Sequence, residues 1–148
     1  MDLDAAMGLA LEEAARAPSH DDVPVGAVVL RDGEVIAARH NERELAGDPT
    51  AHAEVLALRD AARTLRSWRL TGTTVVVTLE PCPMCAGALV SARVDRLVFG
   101  APDPKAGACG SLLNVCVDPR LSHEVDVVPG VRADEAARLL TGFFGRRR

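Results

Sequence analysis

The sequence predicts a three-layer α/β/α domain, with helices on both faces of a central mixed sheet of about five strands. Three observations carry that expectation. Short β-branched runs alternate with segments whose apolar residues recur at helical spacing. An Asp32-Gly33 pair separates two of those runs, the pattern of a tight antiparallel hairpin. Residues 73–79 are almost continuously apolar or β-branched, as expected of a central strand covered on both faces.

Taken in order, Leu3, Met7, Ala10, Ala14 and Ala17 share one helical face, and Pro18-Ser19 closes a first helix over 3–17. A strand over 23–30 and a second over 34–39 flank the Asp32-Gly33 turn. Residues 40–50 read as a polar loop, in which Asp48 or Thr50 caps the helix that follows. That helix spans 51–66, with Val55, Leu58, Ala62 and Leu65 on its buried face. The third strand, Thr73–Leu79, feeds into Glu80-Pro81-Cys82, and a helix over 83–92 places Pro83 in its first turn. A fourth strand is expected over 96–100, a loop rich in Gly and Pro over 101–111, and a fifth strand over 124–128. The last helix covers 134–144, with Ala136, Leu139, Leu140 and Phe143 on one face. No repeat or linker interrupts the series, so residues 1–148 are expected to form a single domain.

At 148 residues and 48% hydrophobic content, the chain can build one real core. No apolar run reaches the roughly 18 residues of a membrane span. The acidic start, Met1-Asp2-Leu3-Asp4, lacks the basic and then apolar pattern of a signal peptide. A cytoplasmic location with no membrane partner is therefore expected, and there four cysteines serve as ligands or buried thiols rather than disulfides. The net charge of −4 conceals an asymmetry. Residues 1–60 carry thirteen acids and five bases, residues 61–148 eight acids and twelve bases, and the chain ends Arg146-Arg147-Arg148. Such a basic end suits an anionic partner such as nucleic acid, or is simply a solvated tail.

The chemistry concentrates in His52-Ala53-Glu54 and Pro81-Cys82-Pro83-Met84-Cys85. Cys82 and Cys85 are three apart, so on a helix they share a face and can grip one ion. In the first turn of that helix the partial positive charge of the N-terminus favours the thiolate that binds metal. His52 and Glu54 would diverge inside a helix and serve one site only if their helix begins there. Two helix N-termini are thus expected to face one Zn²⁺, held by His52, Cys82 and Cys85, with the fourth position open for water. Glu54 is left to take that water's proton as a general base. The spacing matches the zinc-dependent nucleobase deaminases. A redox Cys-x-x-Cys or half of a four-cysteine zinc knuckle is the alternative. Cys109 and Cys116 lack the spacing of a second ligand pair and read as small buried hydrophobes, while His20, His40 and His123 read as surface or loop residues.

Beyond those motifs, residues 23–28 (Val-Pro-Val-Gly-Ala-Val), Asn41, Asp48 to Glu54 and Leu79 to Ala88 resemble the bacterial tRNA-specific adenosine deaminase family of the cytidine-deaminase-like superfamily. The likeness continues through 98–101, Asp103, Lys105, 107–111 and the Phe143-Phe144 helix with its basic end. The resemblance implies hydrolysis of adenosine to inosine at the wobble position of a tRNA anticodon stem-loop, by a homodimer holding one zinc per chain. It implies that Asn41 contacts the target nucleoside and that Val23 and Leu79 line its pocket. Asp103 and Lys105 would lie against neighbouring nucleotides, and Phe144, Arg146, Arg147 and Arg148 on the last helix would meet the RNA. Two other readings remain open on the sequence: a deaminase of free guanine or cytosine, and a non-catalytic zinc-stabilised RNA-binding module.

Overall fold

The turn at Asp32-Gly33 has positive φ at both residues, 53° and 77°, the backbone of a primed hairpin turn. In the computed structural model, which describes residues 1–146, this turn joins β1 (Gly26–Arg31) to β2 (Glu34–His40) antiparallel. On its other edge β1 pairs with β3 (Thr73–Leu79), again antiparallel. β3 pairs parallel with β4 (Arg96–Ala101), and β4 parallel with β5 (Asp126–Val128). Among the described residues the mixed sheet has five strands in the order β2-β1-β3-β4-β5. Arg147 and Arg148, part of the expected RNA-binding end, lie outside the described residues.

Successive residues of a strand point to opposite faces, and the central strands are apolar on both. Val28, Leu30, Val76 and Val98 pack on one side against Ala6, Met7 and Ala10 of α1 (Leu3–Ala14). The other face carries Val29, Val75, Val77, Leu97 and Phe99. A one-turn helix α2 (Arg43–Ala46) precedes the two helices that cover this face, α3 (Ala53–Leu65) and α4 (Pro83–Ser91). α5 (Ala133–Arg146) joins α1 through Ala136. The result is the expected three-layer arrangement.

Several local expectations shift. The first helix stops at Ala14, and a 3₁₀ turn over Ala17–His20 carries the chain onward, because Pro18 cannot continue an α-helix. The first strand begins at Gly26, leaving 23–25 outside the ladder. α3 is not capped by Asp48 or Thr50. Its N-cap is His52, while Asp48 Oδ1 accepts from the backbone N and hydroxyl of Thr50 at 2.8 Å. The buried residues of α3 are Ala53, Glu54, Leu56, Ala57, Leu58 and Ala61, and Val55, Ala62 and Leu65 are only half-buried. Leu58, Ala62 and Leu65 still pack against the core, and the buried face extends beyond them to Ala53, Ala57 and Ala61. The fifth strand is confined to Asp126–Val128.

Among the described residues no helix is long and apolar enough to cross a membrane. The start of β1 and the ends of β3 and β4 lie at one edge of the sheet, where the pairing changes from antiparallel to parallel. Open α/β sheets bind ligands at such switch points.

α1 packs directly on the backbone of β1: a Cβ at Gly26 would overlap the Ala10 carbonyl oxygen and the Ala14 nitrogen. Gly26→Ala should therefore cost about 3 kcal/mol of unfolding free energy. Gly87→Ala, inside α4 with nothing within 4 Å of the new methyl, should instead stabilise by roughly 0.5–1 kcal/mol. Urea denaturation of the two variants checks the contrast, and equal effects would mean that α1 is not held this closely.

Candidate active site

His52 and Cys82 occupy the N-cap positions of α3 and α4, both in extended backbone. Ordinary N-caps fold their side chains back onto the first turn. These two do not, and neither makes a capping hydrogen bond. Both side chains are thus free to point across the gap between the helix starts, where Cys85 joins them from one turn inside α4. His52 Nδ1 lies 3.7 Å from Cys82 Sγ and 3.5 Å from Cys85 Sγ, and all three donor atoms fall within 4.8 Å of one another. Tetrahedral zinc, with Zn–S of about 2.3 Å and Zn–N of about 2.0–2.1 Å, requires S···N separations of about 3.5–3.6 Å. The donor set fits that geometry. It fits chemically as well, with two soft thiolates, one imidazole and a fourth side left open.

The protonation pattern of this cluster follows from its contacts. The hydrogen bond from Cys85 lowers the Cys82 thiol to about 4, opposed by burial and aided by His52. Cys85, sharing its proton with that thiolate, is pushed up. The bond to Cys82 raises His52 against the effect of burial. Glu54 sits in the first turn of α3 with 4% of its surface exposed. Burial raises its carboxyl above the usual range, although its own backbone N–H and His52 pull the other way. A buried carboxyl that takes up a proton readily is the property a proton shuttle needs.

A pocket of about 200 Å³ opens above the cluster, lined by His52, Glu54, Asn41, Val23, Leu79 and Asp103 among others. It is smaller than the roughly 300–1,000 Å³ of sites for drug-sized ligands, a size suited to one ring system. Asn41 is 8% exposed and committed at both ends: Nδ2 donates to the Val23 carbonyl at 3.4 Å, and Oδ1 accepts from Arg43 N at 3.2 Å. Asp103 Oδ1 accepts from Lys105 N and Ala106 N at 3.0 and 3.1 Å, a local turn that fixes its loop. Lys105, Phe144 and Arg146 are exposed and do not line the pocket. Phe144 stacks edge-on against buried Phe143 at 5.3 Å.

Two charged lining residues were given no role from the sequence. Arg43 stands at the pocket in α2, a helix too short to show as periodicity. Glu80 is 2% exposed and bonded to the 103–111 loop, and the one available signal was an acid ending a buried strand. Burial pushes its carboxyl up, but hydrogen bonds from Ser111, Asp103 and Cys109 outweigh that and leave it below its usual range. Cys109 and Cys116 are buried as expected, with sulfurs 3.6 Å apart.

An α/β/α sheet with a His/Cys/Cys donor set beside a buried glutamate defines the deaminase class of fold and site. The comparisons agree. The family model for MafB19-like deaminases matches residues 1–148. The tRNA-specific adenosine deaminase of Bacillus subtilis is 48% identical over 91% of this chain and 84% of its own length. A structure solved in studies of A-to-I editing by tRNA deaminases at the wobble position superposes with TM-score 0.89 and 45% identity, covering 92% of this chain and 99% of that one. A guanine deaminase from Nitrosomonas europaea superposes at TM-score 0.81 with 28% identity, over 96% of this chain and 84% of its own. The chain belongs to the deaminase family and, within it, to the tRNA-specific adenosine deaminases.

Three histidines expected at the surface or in loops have structural partners. His123 Nε2 lies 2.7 Å from the Val94 carbonyl. His20 and His40 meet Nε2 to Nε2 at 3.1 Å, and their Nδ1 atoms face Asp22 and Glu13 at 2.6 and 2.9 Å. Asp22, 1% exposed, also accepts from Glu44 N and Leu45 N and so holds α2 beside the pocket. Burial pushes its carboxyl up, but those N–H groups and His20 prevail and leave it below its ordinary value. A depressed carboxyl adds stability that is present above its unfolded value of 3.8 and lost as pH falls through its folded value. Asp22→Ala should cost about 2 kcal/mol at neutral pH. The deficit should shrink below pH 3.8, as wild-type Asp22 itself takes a proton. Denaturant titrations at the two pH values test this, and a deficit independent of pH would remove the carboxylate from the account.

Proposed function

We infer that the protein is a tRNA adenosine deaminase, a single zinc-dependent domain over 1–148 that hydrolyses adenosine to inosine at the wobble position of a tRNA anticodon. The observation that carries this reading is Glu54, buried in the lining of a small pocket beside the three donors, in a chain 48% identical to a tRNA-specific adenosine deaminase. His52, Cys82 and Cys85 would hold one Zn²⁺ per chain, which when bound supplies Lewis-acid activation of a water. Glu54 takes the proton of that water at a carboxylate oxygen and delivers it to the ring nitrogen beside the attacked carbon. It then takes the second proton, from the oxygen now bonded to that carbon, and passes it to the departing amine, so that the C–N bond breaks and water and adenosine become inosine and ammonia.

The rest of the pocket holds the base. Val23 and Leu79 give apolar walls. An amide has two donors and two acceptor lone pairs, so Asn41 retains one of each for the nucleoside after its internal bonds. The pocket receives the extruded target nucleoside, and the rest of the anticodon stays outside. There Asp103 and Lys105 meet the flanking nucleotides, and Phe144 and Arg146, continued by Arg147 and Arg148, meet the RNA backbone. A cytoplasmic location goes with a tRNA substrate. Deamination of a free nucleobase is the second reading, favoured by the shared fold of the Nitrosomonas europaea guanine deaminase. A free base has no phosphates to engage a basic end. A non-catalytic zinc module has no use for an unliganded buried carboxylate.

A homodimer completes the proposal. On the outer side of α3 and α4, Val55, Leu58, Ala62, Trp68, Leu70 and Ala88 line an apolar groove, and Trp68 is 61% exposed. A second copy covering this face removes it from water. Light scattering should then give twice the chain mass for wild type, and Trp68→Glu should shift it toward one chain. A monomeric wild type would end the dimer reading.

The decisive assay incubates the protein with unmodified tRNA and separately with free adenosine, guanine and cytosine, followed by nucleoside analysis. Inosine should appear only at the tRNA wobble position, and product from a free base alone would favour the second reading. Glu54→Ala should retain zinc and fold while losing at least about 10²–10⁴-fold in turnover. Cys82→Ser should lose zinc per chain. Full activity in the first, or undiminished zinc in the second, would remove that residue from its role.

A further inference from the structure

Glu80 ends the run of β3 and stands two residues before Cys82, yet it does not belong to the donor cluster. Its side chain is almost wholly buried, which is costly for a carboxylate unless its lone pairs are filled. They are filled here. Oε1 accepts from Asp103 N at 3.0 Å and from the Ser111 hydroxyl. Oε2 accepts from Cys109 N and Ser111 N, each at 3.0 Å. All four donors belong to one segment, 103–111. Gly107 lies against the same carboxylate, where a Cβ would overlap Glu80 Cδ and Oε1 and the Asp103 carbonyl oxygen. Gly107 N donates to that carbonyl at 2.8 Å, which closes the loop around the acid. Asp103 and Ala106, carried by this loop, form part of the pocket wall, and Lys105 stands between them.

We propose that Glu80 is a positioning residue for substrate binding: its carboxylate folds residues 103–111 into the wall that receives the target base and its flanking nucleotides. The inference rests on the RNA reading of this pocket. Its chemistry depends on charge type as well as shape. A carboxylate offers about four lone-pair sites and no donor, which matches four inward-pointing donors. A carboxamide of the same size must turn its NH₂ group either toward the Cys109 and Ser111 N–H groups or toward the Asp103 N–H, and so loses at least one backbone bond in either orientation. Aspartate keeps the lone pairs but is one methylene short. Glu80 touches neither the donor atoms nor Glu54 through any hydrogen bond described, so its effect should fall on binding rather than on chemistry.

The test compares Glu80→Gln and Glu80→Asp with wild type as full-length, zinc-loaded protein on a tRNA anticodon stem-loop. Zinc per chain, steady-state kinetics and amide hydrogen exchange over 103–111 are measured for each. Glu80→Gln should keep wild-type zinc, and its Asp103, Cys109 and Ser111 amides should exchange at least about tenfold faster. Its KM should rise about tenfold while kcat stays within about threefold. Glu80→Asp should recover part of both the exchange protection and the KM. Unchanged exchange, unchanged KM, or loss of zinc in both variants would overturn the proposal, the last by making Glu80 a support of the Cys82 turn. Should wild type deaminate only a free base, the tRNA reading fails, and the same KM and exchange measurements on that base still decide the role of Glu80.

Discussion

The site depends on two helices that begin without ordinary caps. His52 and Cys82 sit where a serine or aspartate would bond back to the first turn, and each side chain is left free to face the other. Unsatisfied backbone N–H groups and the partial positive charge of each helix start then surround the same few ångströms. The Cys82 thiolate is stabilised there, while burial still keeps the Glu54 carboxyl above its usual range. The sheet makes the convergence possible. β3 delivers the chain directly into α4, and the loop after β2 returns it to α3 at the same edge. A shift of either helix start by one residue would turn its cap side chain away and dissolve the cluster.

Two buried glutamates close to this edge show how environment assigns role. Glu54 has little to offset its burial, so its carboxyl is raised and can carry a proton. Glu80 is no more exposed, but four donors fill its lone pairs and leave its carboxyl below the usual range. The first suits proton transfer, the second architecture. Identical side chains thus divide the work of the pocket between its floor and its wall.

The sequence was most legible where periodicity or motif spacing is strong. The hairpin at Asp32-Gly33, the buried β3 and the alternation of strands and helices all appear where expected. The requirement that α3 begin at His52 followed from the two-residue separation of His52 and Glu54, and the helix does begin there. What was hidden has physical reasons. Of the expected face of α3, Leu58 is buried and Ala62 and Leu65 pack against the core, but Ala53, Ala57 and Ala61, fully buried in the same core, were missed because alanine carries little hydrophobic signal. The capping role assigned to Asp48 or Thr50 failed because a metal-type donor, not a capping oxygen, holds the N-cap. The bonds among His20, His40, Asp22 and Glu13 join segments far apart in sequence, and Glu80 meets its partners 23 to 31 residues away. No local pattern reports such contacts.

This division also explains why the chemistry was easier to read than the substrate. The reacting centre needs a few residue types at fixed spacing, and those survive as a motif. Substrate choice needs only a differently shaped rim. A guanine deaminase at 28% identity retains the same overall fold, so the fold alone does not discriminate a free base from a base held in RNA. The pocket is small, about 200 Å³, and Asp103 and Ala106 of the 103–111 loop form part of its wall, so that loop is where a differently shaped rim would arise. The shape of that rim depends on how firmly a loop of glycines and prolines is held. In this chain a buried carboxylate two residues before Cys82 accepts four of the bonds that hold that loop, so the wall of the pocket and its donor cluster are anchored from the same short stretch after β3.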